Sequence, residues 1–154
     1  MKNDVVEIGI RGVMPTPNGC ALFLGSDAKT FVIYVEASIG HAISMIVNEV
    51  RKERPLTHDL IGHMFGGFGV SLERIIINDV DNGTFYARII LKMENELGTK
   101  ITEVDSRPSD AIVLALQAGK PMYANRLVMD SVDDVTEVLK KLMNQEGGEE
   151  PPEF

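Results

Sequence analysis

An order of hydrophobic patterns that occurs twice along the chain constrains the fold most. VVEIGIRGV (residues 5–13) alternates as a strand does, ALFLG and TFVIYV continue as two more strands, and a helical pattern follows Ser38. From Leu72 the order returns, with LERIIINDV, TFYARIILKM and KITEVD before the helical stretch PSDAIVLALQAG. The sequence therefore predicts an α+β fold: a single compact domain built on a duplicated strand-strand-strand-helix unit, with a mixed or antiparallel sheet and packed helices.

The segments between these patterns predict the connections. An Asn-Gly pair, at Asn18 and again at Asn82, stands at the first turn of each half and favours a hairpin. A second helix is predicted from Thr57 to the glycines of FGGFG, and MENELG is predicted as a surface loop. A short strand, PMYA, and an amphipathic last helix follow Gly119. Aligning the two strand-to-helix junctions places Glu36 opposite Asp105 and His41 opposite Asp110.

Length and charge set the domain organisation. The 154 residues suit one domain, which we place at residues 1–145, and the segment EGGEEPPEF (146–154) is predicted to be a disordered acidic tail. The net charge is −8, and because the tail holds four acids and no base, the rest carries 19 acids against 15 bases. This acidic balance argues against non-specific binding of phosphate backbones. One basic cluster, Arg51, Lys52 and Arg54, stands apart from it and is more typical of a solvated helix end.

Location and redox chemistry follow from what the sequence lacks. It has no apolar run near the roughly 20 residues that a membrane-spanning helix needs, and MKNDVVEIGI lacks the layout of a signal peptide. We therefore expect a cytoplasmic protein with no membrane partner. Cys20 is the single cysteine and stands in an alternating stretch, so we interpret it as a small core residue.

Two short motifs combine arginine, proline, a hydroxyl residue and an acid before a helix, RPLTHD at 54–59 and RPSD at 107–110. Helix initiation explains much of both, because proline suits the first turn while Thr57, Ser109 and the acids offer oxygen acceptors and negative charge to free N–H groups. Helix initiation does not explain Asp105 and Arg107, so a functional site stays an equal alternative.

The histidines leave further alternatives open. His58 would lie at a helix N-terminus, which disfavours a cation and keeps the imidazole neutral, so it could act as a base or a metal ligand. His63 follows five residues later, a spacing that does not match the zinc-binding helix motif, and is predicted to be a surface or packing residue. For His41 a buried structural role and a ligand role are equally open. The chain contains no GxSxG elbow, phosphate-binding P-loop, CxxC pair or GxGxxG after a strand.

The words EASIGHAI, RPLTHDL, DNGTFYARI and VDSRPSDAIVLAL, in this order, resemble the bifunctional nuclease (BFN) domain family, over about Val5 to Met129. The resemblance implies a compact α+β domain that often self-associates, as a homodimer or other homo-oligomer, and a nuclease activity on RNA and DNA in some members. The polar residues that match the family's words are His41, Arg54, Thr57, His58, Asp59, Asp105, Arg107, Ser109 and Asp110.

The resulting hypothesis is hydrolysis of phosphodiester bonds in RNA or DNA. His58, Asp59, Asp105 and Asp110 are the catalytic candidates, and the three aspartates would hold one or two divalent metal ions such as Mg²⁺ or Mn²⁺. The substrate-binding candidates are Arg54, Arg107, Thr57, Ser109 and His41. The alternative is a non-enzymatic regulatory module that binds an anion or a partner, in which the two RP motifs are structural clasps.

Overall fold

The structure is a computed structural model that describes residues 4–145, so the predicted tail lies outside the described residues. Seven strands and five helices follow one another in these residues: β1 (Val5–Thr16), β2 (Gly19–Gly25), β3 (Thr30–Val35), α1 (Ala37–Val47), α2 (Thr57–Gly67), β4 (Val70–Asp81), β5 (Thr84–Asn95), β6 (Gly98–Ser106), α3 (Pro108–Ala118), β7 (Met122–Asn125), α4 (Arg126–Ser131) and α5 (Thr136–Gln145). None of the helices in this part of the chain is long and apolar enough to cross a membrane.

The strands form one mixed sheet in the order β3-β2-β1-β7-β4-β5-β6. Each group of three strands is an antiparallel meander, and β7 joins the two, antiparallel to β1 and parallel to β4. The short strand after α3 therefore completes the sheet at its centre. Its side chains Met122 and Ala124 are buried in the core.

The sheet is curled but not closed, and its curvature brings β3 near β5. The rings of Phe31 on β3 and Phe85 on β5 stack with their centroids 5.8 Å apart, although four strands separate β3 from β5 in the sheet. Inward-facing residues of the strands pack on α1, α3 and α4 in the main core, where Ile75, Ile77 and Ile112 are fully buried. A second cluster on the outer face of the first meander is covered by Leu139 of α5.

The predicted α+β fold class is confirmed, and the order strand, strand, strand, helix is found twice. Descent of the two halves by duplication stays a prediction. The MENELG prediction is wrong: β5 runs to Asn95 and β6 starts at Gly98, so only Glu96 and Leu97 form the turn. Asn95 Oδ1 accepts a hydrogen bond from the Leu97 N–H in this tight turn, which therefore needs no longer loop.

The two Asn-Gly pairs differ in their roles. Asn82 and Gly83 have positive φ values of 48° and 79°, which is the backbone that an Asn-Gly hairpin turn requires. In the first half the turn is formed one residue earlier, by Pro17 and Asn18, and Gly19 belongs to β2. A Cβ at Gly19 would lie 2.4 Å from the Val35 carbonyl oxygen, so close backbone approach explains this glycine.

The alignment of the two halves is also wrong, by two residues. Because β6 continues to Ser106, the residues that precede α1 and α3 are Glu36 and Arg107. Glu36 is thus equivalent to Arg107, and Asp110 is equivalent to Ile39 rather than to His41. Of α1 and α3, only α3 carries an acidic residue in its first turn, which makes the start of α3 chemically distinct from that of α1.

Candidate active site

The starts of α2 and α3 meet through a histidine and an aspartate. His58 is the second residue of α2 and Asp110 the third residue of α3, and His58 Nε2 lies 2.9 Å from Asp110 Oδ1. A second contact ties the same helices, because Gln117 Nε2 of α3 donates to the His58 carbonyl oxygen at 2.7 Å. The two RP motifs, 52 residues apart at this contact, therefore meet in space.

Arg107 occupies the other oxygen of the same carboxylate. Its Nε donates to Asp110 Oδ2 at 2.9 Å, and its Nη1 donates to Glu36 Oε1 at 3.1 Å. Glu36 follows β3 and Arg107 follows β6, so this ion pair spans the opening between the two edge strands of the curled sheet. Asp110 and Glu36 raise the pKa of the guanidinium, which is 61% exposed. Arg107 thus presents its remaining N–H groups to solvent as a permanent cation.

The state of Asp110 is decided by competing effects. Burial opposes ionisation, but the hydrogen bonds from Arg107 and His58 outweigh it, and the pKa of Asp110 is lowered. Asp110 is therefore a carboxylate at neutral pH. Because a carboxylate only accepts hydrogen bonds, His58 must carry a proton on Nε2, and a neutral imidazole then has its lone pair on Nδ1.

Asp59, the neighbour of His58, belongs to a separate pair. Its Oδ2 lies 2.6 Å from Lys52 Nζ and accepts the Leu56 N–H at 2.9 Å. The hydrogen bond from Lys52 is the main cause of the lowered pKa of Asp59. Lys52 is 23% exposed and Asp59 is 18% exposed. The pair fixes the loop before α2 onto the first turn of that helix.

Two clefts open on either side of the His58–Asp110–Arg107 cluster. A cleft of about 190 Å³ between α1, α2 and α3 is lined by Lys52, His58, Asp59 and Gln117. A groove of about 520 Å³ runs along β3 past the two hairpin turns to the start of α3, with Arg107 and Ser109 in its wall. We call it the seam groove. Tyr34, 74% exposed on β3, lines it as well.

Comparison with known proteins identifies the family of the chain. The model of a protein family described as "Bifunctional nuclease domain" matches residues 22–137. The chain belongs to the bifunctional nuclease domain family. It is 32% identical over 127 residues to an uncharacterized protein of Mycobacterium tuberculosis, which covers 82% of this chain and 73% of the relative. It is 28% identical over 105 residues to bifunctional nuclease 1 of Oryza sativa subsp. japonica, 68% of this chain but only 31% of that protein.

Several residues that match the words of the bifunctional nuclease domain family lie outside the cluster. Arg54 is exposed in the loop before α2 and lines neither cleft. Asp105 is exposed on β6, where it pairs in register with Arg88. His41 is exposed on α1 and lines a different pocket, beside Cys20 and Ser44, so of its two alternatives the buried structural role is excluded and the ligand role stays a prediction. His63 is exposed, as predicted for a surface residue.

The prediction that Pro108 lies in the first turn of α3 is confirmed, and the prediction that Thr57 caps α2 is wrong. Pro108 is the first residue of α3, where its missing N–H costs no hydrogen bond. Thr57 is the first residue of α2 rather than the residue before it, so it does not cap the helix. Leu56 precedes α2, and Asp59 binds its N–H instead. Ser109 is buried in the first turn of α3, where it lines the seam groove beside Arg107.

The predicted metal ligands are not brought together. Asp59 is engaged by Lys52, both oxygens of Asp110 are engaged by His58 and Arg107, and Asp105 lies apart on β6. Within residues 4–145 no group of three or more His, Cys, Asp or Glu side chains could hold a metal ion. The donor set therefore does not fit a divalent metal in this arrangement, and the requirement for Mg²⁺ or Mn²⁺ stays a prediction.

Sequence reasoning missed four side chains of the site. The sequence marks Glu36 only as an acid after a strand, because its partner Arg107 is distant in the chain. It marks Lys52 only as part of a basic cluster, because its partner Asp59 follows a loop. Gln117 is an ordinary polar residue in a helix, and its contact with His58 has no sequence signal. Tyr34 could have been found, since it is the one aromatic residue at a polar position of the alternating stretch TFVIYV.

Proposed function

We propose that the protein is a nuclease that hydrolyses phosphodiester bonds of single-stranded RNA or DNA at the His58–Asp110–Arg107 cluster. The observation that carries the proposal is the contact of His58 and Arg107 with one carboxylate, in a chain of the bifunctional nuclease domain family. A base and a phosphate-binding cation held by the same group form the minimum that hydrolysis of a phosphodiester needs.

In this proposal His58 is the general base. Asp110 fixes the proton on Nε2 and orients the ring, and the Nδ1 lone pair takes a proton from the attacking water. The water oxygen forms a bond to phosphorus, the bond to the leaving oxygen breaks, and solvent supplies the proton that the leaving oxygen needs. Arg107 stabilises the extra negative charge on the phosphate, because its guanidinium carries N–H groups beyond those bound to Asp110 and Glu36.

The seam groove supports a single-stranded substrate. Arg107 and Ser109 supply hydrogen-bond donors for phosphate in its wall, and the exposed ring of Tyr34 offers a face on which an unstacked base can lie. A duplex keeps its bases stacked in the interior and has none to offer to Tyr34. The net charge of −8 disfavours non-specific contact with phosphate backbones, so in this proposal the affinity comes from the local donors of the groove.

The competing interpretation is a structural clasp. The same contacts, together with the Gln117 bond to the His58 carbonyl, would hold α2 on α3 in a protein with no catalytic activity. An internal clasp between the two motifs would pair Arg54 with Asp110 or Arg107 with Asp59. Neither pair is found among the described residues. Arg107 and Glu36 are instead exposed at the mouth of the groove.

The test compares two histidine variants on α2. We expect His58→Ala to lower the cleavage rate of labelled single-stranded RNA or DNA by about 10²–10⁴-fold, the usual contribution of a general base. His63→Ala removes the exposed histidine of the same helix and should leave the rate at the parent value. Reactions with EDTA, Mg²⁺ or Mn²⁺ show whether a metal is needed. Equal rates for the two variants would contradict the proposal.

A further inference from the structure

The outer face of the second meander carries a polar hollow that the nuclease proposal does not use. It measures about 580 Å³ and is lined by strand residues and by Asp4, and we call it the outer hollow: Asp4, Val5, Arg74, Ile76, Asn78, Arg88, Glu103 and Asn125. Alternation along β4 places Arg74 and Ile76 on the face opposite the buried Ile75 and Ile77. The hollow is thus separated from the main core by the sheet itself.

Two arginines in the outer hollow form no salt bridge within the described residues, although Asp105 stands opposite Arg88 in the register of β5 and β6. Among residues 4–145 neither Arg74 nor Arg88 forms an ion pair, although the acids Asp4 and Glu103 line the same hollow. The Tyr123 ring holds the Arg74 side chain in place, because the Arg74 guanidinium carbon lies 5.6 Å from the centre of that ring. A fixed guanidinium without a carboxylate partner is ready to bind an oxyanion with paired hydrogen bonds.

Asn78 provides the second, independent sign of a ligand. Its Oδ1 is the one buried side-chain nitrogen or oxygen in the described part of the chain that has no hydrogen-bond partner. Asn78 is also the extra residue of a β-bulge, since Ile77 pairs with Ala87 and Asp79 pairs with Tyr86. A buried polar atom without a partner costs free energy, and bulges redirect side chains next to functional sites. Asn78 lines the outer hollow, so a rotation of its side chain toward a bound ligand would let Oδ1 accept a hydrogen bond from that ligand and remove the cost.

We propose that the outer hollow binds the phosphate monoester of a hydroxylated compound, such as a sugar phosphate or a nucleoside monophosphate. Arg74 and Arg88 bind the phosphate. The hydroxyl groups donate hydrogen bonds to Asn78, Asp4 and Glu103. A carboxylate can only accept hydrogen bonds, so carboxylates beside an anion site favour a ligand that also carries donors. The volume is that of a small-molecule site. The inference goes beyond the nuclease proposal and does not depend on it.

Isothermal titration with the whole chain tests this inference. The probes are inorganic phosphate, ribose 5-phosphate and adenosine 5′-monophosphate. We expect both esters to bind more tightly than inorganic phosphate, because only they carry sugar hydroxyls. If the two esters bind alike, the sugar phosphate is what is recognised, whereas tighter binding of the nucleotide adds a contact to the base. No binding of either ester at millimolar concentration overturns the inference, as does equal binding of all three probes.

Variants locate the binding. Arg74→Gln and Arg88→Gln should each weaken ester binding about tenfold or more, and Asn78→Ala should weaken it less while leaving inorganic phosphate unaffected. Arg11→Gln is the matched control, because Arg11 also lies on a strand but pairs with Asp27 at 2.8 Å outside the hollow. Asp110→Ala should bind the ester as the parent does, which separates a failure of this site from a failure of the nuclease proposal. Equal binding by Arg88→Gln and Arg11→Gln would overturn the inference.

Discussion

Asp110 should stabilise the fold in a way that depends on pH, and Asp110→Asn exposes that contribution. The carboxylate accepts two hydrogen bonds at 2.9 Å, one from His58 Nε2 and one from Arg107 Nε. Asparagine keeps the shape of the side chain and one accepting oxygen, but its NH₂ group then faces the second donor. The substitution therefore removes the charge and leaves one of the two donors without an acceptor.

The two donors contribute unequally to the expected loss. Arg107 is 61% exposed and can turn to water, so losing its bond costs little. His58 is only 17% exposed, and an unsatisfied, mostly buried donor costs about 1–3 kcal/mol. We expect Asp110→Asn to lower the free energy of unfolding at pH 7 by about 1–2 kcal/mol, toward the low end of that range because Asn Oδ1 can still accept one bond.

The sign of the pH dependence follows from the lowered pKa of Asp110. A carboxyl group whose pKa is lower in the folded than in the unfolded chain stabilises the fold above its unfolded pKa, which is about 3.9. That stability is lost as the pH falls through the folded pKa. The difference in stability between the parent and Asp110→Asn should therefore be full at pH 6–7 and shrink below about pH 4.

Urea unfolding at pH 7 and near pH 3 measures this difference directly. Asp27→Asn is the matched control, because Asp27 is fully exposed in its pair with Arg11 and should leave the stability close to that of the parent at both pH values. Equal stability of Asp110→Asn and the parent at pH 7 would refute the reasoning. A difference that grows toward pH 3 would refute it too.

Three further predictions concern the groove, the loop before α2 and the core. Tyr34→Ala should weaken binding of single-stranded oligonucleotides by about 1–3 kcal/mol, the value of one stacked base, and equal affinity in a fluorescence-anisotropy titration would contradict the role of Tyr34. Lys52→Gln should raise the pKa of Asp59, because Lys52 is the main cause of its lowering, and an NMR titration of the carboxyl carbon shows whether it does. Gly40→Ala should lower the midpoint of thermal unfolding although alanine favours helices, since its Cβ would lie 2.8 Å from the buried Cys20 Sγ. Adding Cys20→Ala should restore much of that loss, and a loss that persists would point to another cause.

Most of the fold could be predicted from the sequence, because the alternation and the helical spacing of apolar residues report directly which side chains are buried. In β1 and β4 the buried residues recur at alternate positions, and the sequence shows this as a period-two pattern. By contrast, β2 is buried along almost its whole length and β6 is exposed along almost its whole length. Helix α4 was missed because six residues give too little periodicity for a pattern. The exact junction after β6 was missed as well, since Asp105 and Ser106 continue the strand without an apolar signal.

The candidate site was predicted only in part because its contacts join distant segments. The sequence indicates that His58 and Asp110 each lie at a helix start, but only the packing of α2 on α3 brings them together. Asp59 forms an ion pair with Lys52 and not a contact with Asp110. Asp105 lies within β6, which continues to Ser106, and is therefore held apart from the cluster. The predicted cluster of four acid and histidine residues thus becomes one aspartate–histidine contact with an arginine.

The central claim is that Asp110 serves chemistry as well as stability, and its most direct test compares two aspartates. Asp110→Ala and Asp134→Ala each remove a carboxylate with a lowered pKa. Asp134 lines neither cleft and accepts hydrogen bonds from the Thr30 and Thr136 N–H groups before α5. Both variants should be less stable than the parent. Cleavage of labelled single-stranded RNA and DNA, measured well below both unfolding transitions, should fall at least about 10²-fold in Asp110→Ala and stay at the parent rate in Asp134→Ala. Equal rates in the parent and both variants would mean that the two RP motifs only start two helices and hold them together.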